Sequence, residues 1–89
     1  MNIGERICFW EYGDEIGGND PIFRPGDFGV VVGEDGDAVR CLLTDERGKV
    51  LWWRADTLFA EEFIPLTYTP RIPPDRLPAP YGTMTGEPR

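Results

Sequence analysis

The chain has 89 residues, 40% of them hydrophobic, and carries a net charge of −7 with no histidine. That is the size of one domain, near the limit at which a single core sustains itself, and the apolar content excludes wholesale disorder. No apolar run approaches the ~20 residues of a membrane-crossing helix and no basic-then-apolar leader opens the chain, so a cytoplasmic protein with no membrane partner is expected.

Taken in order, Arg6-Ile7-Cys8-Phe9-Trp10 is a short β-rich run and predicts a first strand. A loop of about 17 residues follows, long for so small a domain, and long loops in compact domains are often functional. It holds the acids Glu11, Asp14, Glu15 and Asp20, with Trp10 and Tyr12 at its entrance and Phe23 and Pro25-Gly26 at its close. Phe28–Gly33, with three successive valines, predicts the second strand. Glu34-Asp35-Gly36-Asp37 is a hairpin connection in which Asp-Gly supplies the positive φ such turns need. Ala38–Thr44 is the third strand, and Asp45-Glu46-Arg47-Gly48 turns it into a fourth over Lys49–Arg54.

With Thr44 opposite Lys49, the second hairpin has Leu43 opposite Val50, Leu42 opposite Leu51, Cys41 opposite Trp52 and Arg40 opposite Trp53. Because side chains alternate across a strand, Val39, Cys41, Leu43, Val50 and Trp52 form the expected core face. Arg40, Leu42, Leu51 and Trp53 form the other face, with the arginine over an indole. An apolar outward face of that kind is covered or binds something. Ala55–Leu58 reads as one helical turn and Phe59–Leu66 as a closing strand. Six prolines between Pro65 and Pro80 make the remainder an extended, polyproline-like tail without hydrogen bonds of its own. Its Ile72, Leu77 and Tyr81 are candidates to cover the Leu42 face.

Five short strands, a long first loop, tight later hairpins and one helical turn before the last strand predict an all-β fold, a small curled barrel that hides its sheet edges. The stretches Pro25-Gly26-Asp27-Phe28-Gly29-Val30-Val31 and Trp53-Arg54-Ala55-Asp56-Thr57-Leu58 resemble the strand start and the helical turn of bacterial SH3-like and KOW-type barrels. The loop Trp10–Gly18 is similar to the Trp/Gly-Asp/Gly-Gly loop of Mind bomb-type SH3-like domains. The resemblance implies a five-stranded SH3-like barrel over residues 1–66, with a long acidic first loop, and an extended proline-rich tail over residues 67–89. The Ala-Leu-Tyr-Asp-Tyr stretch of signalling SH3 domains is absent, and Ala38 stands about where they place a tryptophan, so their polyproline groove does not carry over.

Chemistry is thinly represented. Without histidine or serine, Ser/His and Cys/His nucleophiles are excluded. Cys8 and Cys41, each inside a predicted strand, are expected as buried free thiols, with pairing open only if their strands are adjacent. Glu34–Asp37 lacks the ligand spacing of a calcium loop, and adjacent acids such as Asp14-Glu15 and Glu61-Glu62 need a pocket to do acid–base work. No cofactor, metal or enzymatic activity is expected.

Charge is uneven along the chain. Residues 1–46 carry eleven acids against three arginines, and residues 47–89 carry five acids against six bases. A negative field disfavours direct nucleic-acid binding and suits a protein partner with a basic surface. The expected role is a protein-interaction module, an adaptor or small subunit of a bacterial or phage assembly. Its candidate contact residues are Trp10, Tyr12, Asp14, Glu15, Arg40, Leu42, Leu51 and Trp53. The alternative is an acidic inhibitor that imitates nucleic acid, resembling small SH3-like antirepressors of the CarS type or immunity and anti-defence proteins.

Overall fold

The computed structural model describes residues 1–11, 22–78 and 81. Five strands, β1 (Arg6–Phe9), β2 (Phe28–Asp35), β3 (Ala38–Thr44), β4 (Asp56–Leu58) and β5 (Phe63–Pro65), form one antiparallel sheet in the order β4-β3-β2-β1-β5. The fold is all-β, relieved among the described residues only by the 3-10 turns Ala60–Glu62 and Pro74–Arg76. The first three strands lie where the β-branched runs put them. Gly36-Asp37 joins β2 to β3 as a two-residue turn, and an extra residue at Val32 bulges β2 and bends it.

The fourth strand is not Lys49–Arg54. Asp45 takes that stretch out of the ladder: its carboxylate accepts the amide protons of Arg47 (2.9 Å) and Lys49 (2.8 Å), and its own N–H donates to the Lys49 carbonyl. Lys49 is thereby spent inside the turn, and Gly48, at φ +93°, completes it. Thr44 therefore bridges to Val50, one residue beyond the expected partner, and Leu51 N–H donates to the Leu43 carbonyl. The chain then leaves β3 and returns only as β4, with Cys41 opposite Asp56, Arg40 opposite Thr57 and Val39 opposite Leu58. Leu51–Ala55 thus stand against Leu42 and Leu43 alone, and the surplus loops outward. As a result Trp52 is exposed and not part of the core face, and Arg40 faces Thr57 and not an indole.

Residues 55–58, expected as a helical turn, carry β4 instead. The turn comes at Ala60–Glu62, where Glu62 N–H donates to the Phe59 carbonyl and Phe59 N–H donates to the Glu62 carboxylate. The expected Phe59–Leu66 strand is accordingly shortened to β5.

Apolar side chains gather on both faces of the sheet. One cluster, Ile7, Phe9, Phe23, Val31, Val39, Cys41, Leu58 and Phe63, draws on all five strands and has Ile22 and Leu43 packed against it. The opposite face carries Val30, Val32 and Leu42, joined by Val50 and Ala55. Leu77, Ile72 and Tyr81 close over these, so the chain covers this face itself. The segment after β5 is not uniformly extended. Turn hydrogen bonds run from Thr69 to Leu66, Arg76 to Pro73 and Tyr81 to Pro78.

Ile72 also ties the covering segment to the N-terminus, because its N–H donates to the Gly4 carbonyl at 2.8 Å. Gly4 has φ +94°, and a Cβ there would overlap the Ile72 carbonyl oxygen. Two substitutions test this seal by urea unfolding. Leu77→Ala is expected to cost about 2–3 kcal/mol through the cavity it leaves over Leu42. Gly4→Ala is expected to cost at least about 1–2 kcal/mol through its left-handed backbone alone.

Candidate interaction surface

The outward loop Leu51–Ala55 presents the most exposed aromatic cluster of the described residues. Trp52 and Trp53 stack at 6.0 Å between ring centroids with planes 22° apart, yet retain 44% and 66% exposure. Leu51 beside them is 54% exposed. Holding two indoles in water is unfavourable unless something covers them part of the time, and tryptophan is the residue most enriched at binding hot spots. The loop is anchored at both ends, by the Thr44–Val50 bridge and by β4.

The sequence-derived contact residues divide as follows. Leu51 and Trp53 lie together on this loop, joined by Trp52, an expected core residue. Arg40 is exposed on β3 between Gly33 and Thr57. Leu42 is fully buried beneath Leu77 and is not presented to solvent. Trp10 leaves the end of β1 half exposed, its N–H donating to the Glu62 carbonyl at 2.9 Å. Tyr12, Asp14 and Glu15 lie outside the described residues, as does most of the acidic loop. Ile64, on β5, is exposed as well; Phe59 and Tyr68 are exposed apolar residues that the sequence reading did not single out. Their signal was available, since each sits in a run with several prolines or acids for neighbours and little core to join.

Electrostatics centre on the turn at the base of the loop. The amide proton of Lys49, helped by those of Arg47 and Gly48 and by the Lys49 charge, holds the Asp45 carboxyl below the usual carboxylate range against the opposing effect of desolvation. Arg6, buried on β1, braces the same turn from below: its Nη2 donates to the Glu46 carbonyl at 2.7 Å and, at 3.4 Å, to that of Asp45. At the other end of β3 the hairpin exposes Glu34, Asp35 and Asp37, and the Met1 ammonium lies 3.4 Å from Glu34.

The two cysteines are free thiols on different strands separated by β2. Burial, with a smaller push from the Asp56 carboxylate, drives the Cys41 thiol up to about 12. Among the described residues no group of three His, Cys, Asp or Glu side chains converges on a metal-sized site, and no helix is long and apolar enough to cross a membrane. No family model, curated protein or solved structure matches the chain.

Both titrations predict a pH dependence. Asp45 is stabilising while ionised in the fold, so its contribution is present above the ordinary value of 3.8 and is lost as pH falls through the lower folded value. The urea midpoint should decline on acidification below pH 4, and Asp45→Asn should flatten that decline. For Cys41 the neutral thiol is favoured in the fold, so stability should fall as pH rises from 9.0 towards 12. At pH 8 a thiol reagent should label half-buried Cys8 in the native protein and reach Cys41 only after unfolding.

Proposed function

We propose that the chain is a non-enzymatic protein-interaction module built as an SH3-like barrel. Three features support the architecture: β1 between β2 and β5, a 3-10 turn between β4 and β5, and one apolar cluster fed by all five strands. In this reading residues 1–66 close into the barrel and residues 67–89 form a proline-rich tail whose first part, through Ile72 and Leu77, lies back on it. Such a module works in the cytoplasm as an adaptor or as a small subunit of a larger bacterial or phage assembly.

The observation that carries the functional reading is the exposed Trp52–Trp53 pair. The face around Leu42 is covered by the chain's own residues, whereas these two indoles stack on each other and stay open to a partner. The partner is a protein with a basic segment. Its apolar side chain covers Trp53 and Leu51, and its cations meet the acids of the first loop, with Trp10 and Tyr12 at that loop's mouth. Arg40, exposed on β3, orients the approach by repelling misplaced cations.

A second reading has its own support in the three exposed carboxylates of the β2–β3 hairpin, which suit an acidic mimic of nucleic acid directed at a DNA-binding protein. Capture of the partner from the native host followed by a salt series separates the two. For the indole-anchored module, Trp53→Ala should weaken binding by about 30-fold or more while raising salt from 50 to 500 mM changes it little. A steep salt slope that Trp53→Ala leaves untouched transfers the function to mimicry.

A further inference from the structure

The turn that throws the indoles outward also builds a cationic cleft in this acidic protein. Arg47 and Lys49 on the turn and Arg76 on the covering segment line a cleft of about 440 Å³, floored by Gly48, Val50 and Ile72. The one carboxylate there, Asp45, is engaged by amide protons and by the Lys49 charge, leaving a net charge of +2 on the lining. The chain has 16 acids for nine bases. Even so, neither Arg47 nor Arg76 pairs with a carboxylate among the described residues, where the sole ion pair is Met1 with Glu34. Keeping like charges together while acids are plentiful costs free energy unless an external anion comes to them.

A matching anion stands on the same chain. Asp35 and Asp37 flank the tip of the β2–β3 hairpin, exposed and with side chains that have no partner among the described residues, beside Glu34, which is engaged by Met1. Hairpin and cleft lie at opposite ends of β3, whose six residue steps span about 20 Å, so one molecule cannot bring its own two ends together. A second copy can.

We propose that copies of this chain associate head to tail, with Asp35 and Asp37 of one copy seated between Arg47, Lys49 and Arg76 of the next. The contact joins two different surfaces, so it extends to further copies or closes into a ring. It is independent of the tryptophan pair, and Trp53→Ala leaves it intact.

Sedimentation velocity on the full chain tests this at about 20 mM and 500 mM salt, where the screening length falls several-fold. Species larger than the monomer should grow with concentration at low salt and vanish at high salt. The double substitution Asp35→Lys with Asp37→Lys should raise the dissociation constant more than about tenfold, and Arg47→Glu with Arg76→Glu should do the same. Mixing the two double variants should restore association, because each supplies the charge its counterpart now needs. Each double swap changes the charge by four, so from −7 the two variants carry −3 and −11. Both stay negative, and a general attraction cannot account for restored association. Rescue on mixing also shows that both variants fold. A wild-type chain that stays monomeric at low salt overturns the proposal, as does association that survives either double swap, or a mixture that stays monomeric. If the monomer instead binds polyglutamate through Arg47 and Arg76, the cleft belongs to a foreign acidic partner and the second-copy assignment fails.

Discussion

Asp45 closes a turn on itself by accepting the amide protons of Arg47 and Lys49, and the course of the next ten residues depends on that closure. It shifts the pairing of Thr44 by one residue, ends the ladder after a single bridge, and obliges the chain to rejoin β3 late. The indoles stand in solvent because of it, and two of the three cations of the cleft are carried by it. The buried Arg6 guanidinium adds a brace from the first strand by donating to the turn's carbonyls. An ionised acceptor makes stronger hydrogen bonds than a neutral one, so a single carboxylate can hold a turn that no regular hairpin geometry would choose.

The same turn receives the end of the chain. Ile72 lies against Gly48, its Cδ1 3.1 Å from where a Cβ would be, and its backbone is hydrogen-bonded to Gly4. Residues from the first turn, the middle turn and the covering segment therefore meet in one place. A sheet this small cannot bury two faces with its own strands, and the proline-containing segment supplies the second cover. Prolines suit that duty. They reduce the freedom the segment loses on docking, and turns at Pro73 and Pro78 aim Leu77 and Tyr81 inward.

Much of this was legible in the residues. Phe28–Val32 and Ala38–Thr44 are β-branched or apolar runs bounded by Pro-Gly and Asp-Gly, and turn chemistry of that kind allows few alternatives. The need of Leu42 for cover was legible as well, and so were the three side chains able to meet it. The fourth strand was not. Val50-Leu51-Trp52-Trp53 has a higher strand propensity than Asp56-Thr57-Leu58, but propensity describes fitness for a pleated, half-buried surface and not which run pairs. The length of the Asp45 turn decided the matter. One residue of shift left a single bridge before the chain looped away from β3, and Trp52 and Trp53 went outward with that loop. The cationic cleft was hidden for another reason: Arg76 lies far along the chain from Arg47, and only the docking of the covering segment makes them neighbours.

The sheet order carries a consequence for how the chain acquires its structure. β1, among the first residues in sequence, is an interior strand whose second neighbour is β5, and Gly4 is bonded to a residue sixty-eight positions away. The central hairpin of β2 and β3 can form from local contacts, whereas the N-terminal strand waits for the far end before both of its sides are occupied. Closing so long a span before any contact repays it is the slow part of folding small β proteins. β1 precedes β5 in the chain, so of the five strands the one synthesised earliest is the last to gain both of its neighbours.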